Sequence, residues 1–196
     1  MNLVQADQIV KVVMVVAMLT VMTEFAYVKL VKGQENKLIK NINFYIIMDI
    51  KYYHYTPKYR LEEIIESGEI KLANASVYAP KEKACAWVST NSHWEHTATK
   101  SLRDKSGNIK TLTFAEQLDI LGCTRIQVKP IGLTHWGKIK HLAKMDLEHA
   151  KRMENVGLVK GANPKEWFGS LVPIKKENWI KAEIYSNGEW IDYKVF

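Results

Sequence analysis

The chain of 196 residues is 47% apolar, 10% aromatic and 25% charged, which excludes a disordered or low-complexity polymer and supports one buried core. Lys and Arg number 28 against 21 Asp and Glu, a net charge of +7 that favours acidic partners such as nucleic acid or phosphate-bearing cofactors without naming one. Two cysteines, Cys85 and Cys123, with no CxxC pair, exclude a disulfide scaffold and a cysteine-rich zinc site and point to a reducing compartment, taken here as the cytoplasm.

Composition shifts near Met48. Residues 1–47 contain no Pro, Trp, His or Cys, whereas every Trp, His, Cys and Pro of the chain lies beyond Met48. This divides the chain into an N-terminal helical extension or leader, 1–47, and a domain, 48–196. The first segment reads as one helix over about Gln8–Val31, whose uncharged centre, Val12–Thr23, falls short of the roughly 20 residues a bilayer span needs. Lys11 and Glu24 bracket that centre. The segment therefore reads as an extension upstream of a natural start at Met48, ahead of an amphipathic or oligomerising helix and of membrane contact through residues 9–31. The oligomeric state is left open.

Lys51–Tyr55 is an aromatic, strand-like run. Thr56-Pro57 then supplies a cap and a first-turn proline, Leu61, Ile64 and Ile65 share one helical face, and Ser67-Gly68 closes the helix. Glu69–Leu72 resumes in extended form, and Ala84–Thr90 is a second strand ending in a polar turn. Phe114–Leu121 predicts a short helix stopped at Gly122, and Thr124–Lys129 a strand ended by Pro130. His135–Asn155 predicts one longer helix, with Ile139, Leu142, Ala143, Ala150 and Met153 on one face. A glycine-rich loop, Gly157–Pro164, follows. Trp167–Ile174, Trp179–Tyr185 and Trp190–Val195 predict strands, the last two joined by the hairpin signal Ser186-Asn187-Gly188. No internal repeat is present.

His93-Trp94-Glu95-His96 sets two histidines three apart, but a metal centre wants a third anchored ligand, so the stretch reads as a polar helix start capped by Ser92 or Asn91. Cys85 and Cys123 lie in apolar, strand-like runs, the setting of small buried hydrophobes rather than nucleophiles. No GxSxG, P-loop or GxGxxG occurs, so serine hydrolase, P-loop and Rossmann readings have no support.

Three short stretches carry a further signal: His54-Tyr55-Thr56 ending the first strand, Trp87-Val88-Ser89-Thr90-Asn91 ending the second, and Asn163 to Ile174 around Glu166. Together, over roughly His54 to Tyr185, they resemble the ADP-ribosyltransferase superfamily. That resemblance implies an α+β fold of split, mostly antiparallel sheets around an NAD cleft. It also implies transfer of ADP-ribose from NAD to a macromolecular acceptor, protein or nucleic acid, with release of nicotinamide. By the same resemblance His54 hydrogen-bonds the adenosine ribose, Ser89 supports the nicotinamide ribose with Thr90 and Asn91 beside it, and Glu166 is the catalytic carboxylate. Tyr55, Trp87 and Trp94 are the candidates to stack on nicotinamide.

The residue types suit the chemistry. Breaking the ribose–nicotinamide bond builds oxocarbenium-like positive charge, which a carboxylate on the ribose 2″-OH stabilises where it develops, and a dry aromatic cleft clamps the leaving ring. Two departures stand out. His54 with Ser89 mixes the family's His–Tyr and Arg–Ser classes. Pro164 stands where arginine-modifying members carry a second Glu, so the acceptor is expected to differ from arginine or to draw its activation from Lys160 or Asn163. The rival classes are a non-catalytic module binding a nucleotide or nucleic acid in the same cleft, and a structural or interaction protein whose tryptophans are core and interface.

Overall fold

The computed structural model describes residues 50–74 and 77–196. The helix expected over Gln8–Val31, the leader 1–47 with its stretch 9–31, and the start at Met48 lie outside the described residues.

The described residues form an α+β unit. Strand β1 (Tyr52–Thr56) leads into helix α1 (Lys58–Ser67), which Gly68 ends in the left-handed conformation at φ 70°, its N–H reaching the Ile64 carbonyl at 2.9 Å. Pro57, not Thr56, occupies the N-cap position and makes no side-chain cap. Thr56 remains in the strand, where its carbonyl accepts the Thr124 hydroxyl at 2.7 Å. Next come β2 (Glu69–Ile70), β3 (Ala86–Ser89), the short pair β4 (Ser101–Arg103) and β5 (Ile109–Thr111), and α2 (Phe114–Leu121). A capping box between Thr113 and Glu116 starts α2, and Gly122 follows it.

The chain continues through β6 (Thr124–Val128), β7 (Thr134–His135), α3 (Trp136–Leu142), α4 (Leu147–Val159), β8 (Trp167–Ser170), β9 (Ile174–Lys175), β10 (Trp179–Ser186) and β11 (Glu189–Val195). The β10–β11 hairpin turns on Asn187 and Gly188, both at positive φ (51° and 88°), as the two-residue signal predicts.

Two expected elements are divided. The single helix over His135–Asn155 is two, because Lys144 takes φ 56° and Asp146 then caps a new helix by accepting the His149 N–H at 2.8 Å. The Ala143 carbonyl, freed at the break, accepts the Lys83 N–H at 2.8 Å. The strand over Trp167–Ile174 stops at Ser170, whose hydroxyl folds onto Val172; Ile174 and Lys175 then pair with β2 instead. Gly157, expected to open a loop, lies inside α4. A Cβ there would meet the Trp167 ring at 2.5 Å, so the glycine serves close packing of helix on strand.

Seven strands form one antiparallel sheet in the order β11-β10-β6-β1-β3-β8-β7. Its middle is thin. β1 pairs with β6 over five residues but with β3 at one, Tyr53 opposite Ser89, so four strands on one side and three on the other meet through a single register pair. On one face, Val88, Ile126, Val128 and Ala182 pack with Leu61 of α1 and with Ile70, Ile174 and Trp179. On the other face the core is double. Trp136, Ile139, Ala150 and Trp167 join α3 and α4 to the three-stranded side, while Tyr53, Tyr55, Trp94 and Cys123 pack with α2 on the four-stranded side. No described helix is long and apolar enough to cross a membrane.

Candidate functional site

A cavity of about 520 Å³ opens between those two cores, over the place where β1 and β3 part. Tyr53, His54 and Tyr55 of β1 and Trp87, Val88 and Ser89 of β3 line its floor. Trp136, Met153, Val156 and Trp167 close one wall and Glu95, Thr97, Ala98 and Lys100 the other. The indoles are held by their neighbours: Trp87 lies over Gly169, where a Cβ would come within 2.9 Å of the ring, and Trp136 meets Trp167 edge-on at 5.4 Å.

At the parting, a side chain replaces the ladder. Beyond the Tyr53–Ser89 pair, His54 donates its Nδ1–H to the Trp87 carbonyl at 2.9 Å. Burial lowers the His54 pKa from 6.5 to about 4, the carbonyl bond opposing that shift and the Lys100 charge adding to it. The ring is therefore neutral at pH 7, with Nδ1 carrying the proton and Nε2 left as an acceptor. Ser89, fully buried, is fixed in the same sense. It accepts the Asn91 N–H at 3.1 Å and donates its own proton to Glu95 Oε2 at 2.8 Å, so a ligand meets its remaining lone pair.

Glu95 is the residue that sequence reasoning missed. It is 6% exposed, and its other oxygen accepts the N–H and hydroxyl of Thr97 at 3.1 and 2.7 Å. In the sequence its only mark was a place between two histidines; nothing local announced burial. The loop that delivers it is strapped down by three donors on three consecutive carbonyls. Tyr55 Oη donates to Asn91, Arg125 Nη1 to Ser92 at 2.5 Å, and Trp190 Nε1 to His93 at 3.0 Å. Arg125 is itself held by a buried ion pair with Glu183 at 2.6 Å and by the faces of Tyr53 and Trp190 at 4.0 and 4.2 Å.

Polarity in the cavity is thus sorted. His54, Ser89 and Glu95 present acceptors, whereas Lys100 and Lys160, which also line it, present cations that meet no carboxylate among the described residues. Partial desolvation and the neighbouring Arg60 charge lower the Lys100 pKa. A ligand matched to this lining brings hydroxyl or amide donors to one side, an anion to the lysines, and a flat face to the indoles.

Of the residues expected at the site, His54, Tyr55, Trp87 and Ser89 line the cavity. Thr90, Asn91, Trp94 and Glu166 do not. Trp94 stands outside the lining, its Nε1 bound to Thr99 Oγ1 at 3.0 Å; the indoles that line the cavity are those of Trp87, Trp136 and Trp167. Asn91 caps its own turn by accepting the His93 N–H at 2.9 Å. Glu166 ends the short turn Pro164–Glu166 that leads into β8, and its carbonyl accepts the Thr90 N–H at 2.9 Å. His54 and Ser89 therefore lie on the neighbouring strands β1 and β3, and Glu166 in the turn that precedes β8, the strand next to β3. One Glu166 oxygen faces Asn163 Nδ2 at 3.5 Å; the other is buried without a hydrogen-bond partner.

His93 and His96 gather no third ligand: among the described residues no group of three His, Cys, Asp or Glu is placed to hold a metal. Cys85 and Cys123 are buried free thiols, pushed up by burial to about 11 and about 12, and so are not nucleophilic at neutral pH. No protein-family model, curated protein or solved structure matches this chain.

Proposed function

We propose that this chain is an NAD-dependent ADP-ribosyltransferase of the split-sheet type, acting in the cytoplasm on a macromolecular acceptor, protein or nucleic acid. One observation carries the reading: His54 and Ser89, with Tyr55 and Trp87 beside them, line one cavity at the single-pair junction between two half-sheets. The sorted polarity supports it. Acceptors on His54 and Ser89 suit ribose hydroxyls, Lys100 and Lys160 suit a diphosphate, and the indole wall suits nicotinamide.

In this reading the bond from ribose C1″ to the nicotinamide nitrogen breaks, its electron pair leaving with nicotinamide. An acceptor lone pair then bonds to C1″ and the acceptor loses its proton. Glu166, in the turn before β8 with its carbonyl on the Thr90 N–H, is the carboxylate this reading assigns to the ribose 2″-OH; it stands outside the cavity lining with its unpartnered oxygen buried, so the reading requires the turn Pro164–Glu166 to shift toward the ligand. Arginine is not the expected acceptor, because Pro164 offers no carboxylate two residues earlier.

The test is nicotinamide release from NAD, with NAD affinity measured by calorimetry. Glu166→Gln is expected to abolish release while leaving affinity within a few-fold, since the carboxylate acts on transition-state charge. Failure of the wild-type chain to bind NAD would sink the reading, and normal turnover in the variant would remove Glu166 from it.

A further inference from the structure

Taking a carboxylate out of water is costly unless its charge is answered, and polar hydrogen bonds answer it only in part. Every donor to Glu95 is neutral: the Ser89 hydroxyl and the Thr97 amide and hydroxyl. No ion pair engages it among the described residues, although Lys100 and Lys160 line the same cavity. Glu95 lines the cavity, whose lining also carries the indoles of Trp87, Trp136 and Trp167. A fixed negative charge facing aromatic rings is the general chemistry of a site for a flat cation.

We propose that Glu95 is the countercharge for the cationic ring of the ligand, so that the cavity selects a pyridinium over its neutral counterpart. This rests on the NAD reading and assigns the ring end of that ligand. The oxidised nicotinamide ring carries a positive charge, and the lysines lie where the anionic part of the same molecule is needed. Both carboxylate oxygens are immobilised by their donors, and the loop bearing them is fastened by Tyr55, Arg125 and Trp190, so the charge is preorganised rather than recruited. Its service is electrostatic: it favours the pyridinium on binding. It touches the ligand as a second carboxylate, distinct from Glu166.

The experiment compares the affinities of oxidised NAD, reduced NAD and ADP-ribose for the full chain, its Glu95→Gln variant and its Glu95→Asp variant. Wild type is expected to bind oxidised NAD roughly tenfold or more tightly than the reduced form, in keeping with one partly screened charge pair. Glu95→Gln is expected to erase that preference by weakening oxidised NAD at least tenfold more than reduced NAD or ADP-ribose, which lacks the ring, and Glu95→Asp to restore part of the preference. Equal affinity of wild type for the two redox forms, or a Gln variant that keeps the preference, overturns the countercharge and leaves the NAD reading intact. Absence of binding by all three ligands to wild type overturns both. A loss of affinity in Glu95→Gln that is equal for all three ligands marks a structural residue and rejects the proposal.

Discussion

His54 illustrates how a single side chain couples protonation to structure at this site. Its pKa of about 4 lies well below the 6.5 of an exposed imidazole, chiefly because burial disfavours the charged ring. Folding therefore expels a proton from His54 wherever the pH lies between those two values. The stability this group contributes is present above about pH 6.5 and is lost as pH falls toward 4, by up to about 3 kcal/mol. His54→Gln keeps a donor for the Trp87 carbonyl but cannot charge. Its urea midpoint is expected to fall less than that of wild type between pH 7 and pH 4.5; parallel slopes would show that His54 is not the titrating group. Ligand affinity in wild type should decline over the same interval, because protonation at Nε2 replaces the acceptor offered to the cavity with a donor.

Among the elements, those built on local chemistry were legible in the sequence. The α1 stop at Gly68, the α2 stop at Gly122 and the Asn187-Gly188 turn each depend on a few adjacent residues. What the sequence hid was non-local. The apolar period through Ile139, Ala143 and Ala150 continues across the break between α3 and α4, because all three are buried in one core, whereas Leu142, expected on the same face, is 44% exposed; the positive φ of Lys144, the Asp146 cap and the Lys83 contact divide the helices. Of the cavity lining, His54, Tyr55, Trp87 and Ser89 could be read because each sits in a strand-like run, and those runs, β1 and β3, are antiparallel neighbours meeting at Tyr53 and Ser89. Glu95 could not, since the donors that make its burial tolerable, Ser89 among them, and the straps on its loop come from four different parts of the chain.

Gly157 shows the same limit: a glycine before a loop is indistinguishable in sequence from one under an indole. Gly157→Ala gains up to about 1 kcal/mol of helix propensity but drives a methyl into Trp167. Net destabilisation of about 1–2 kcal/mol is expected, with weakened ligand affinity because Trp167 lines the cavity. Chemical denaturation and ligand titration check both; a stabilised variant with unchanged affinity would mean that α4 moves freely away from the strand.

At the scale of the molecule, the decisive feature is the contrast between the two sides of β1: a five-residue ladder with β6 and a single pair with β3. A central strand is ordinarily the best-protected place in a sheet, with amide exchange limited by global unfolding. Here the usual ranking is inverted along one side of one strand. Amides of β6 and of the β10 side are expected to exchange slowest, whereas those facing the gap between β1 and β3 exchange orders of magnitude faster despite sitting mid-sheet. On the proposed NAD reading, adding NAD should slow that gap selectively. Residue-resolved exchange with and without ligand decides the matter, and uniform protection across β1 would mean that the halves are locked by packing alone. In mechanical terms the sheet is two stiff plates joined by one stitch with an imidazole laid across the opening, so the plates can widen or narrow around a guest by rearranging very few backbone hydrogen bonds. Rigidity is thereby kept where strands must hold side chains in register, and compliance is confined to the line over which the cavity opens.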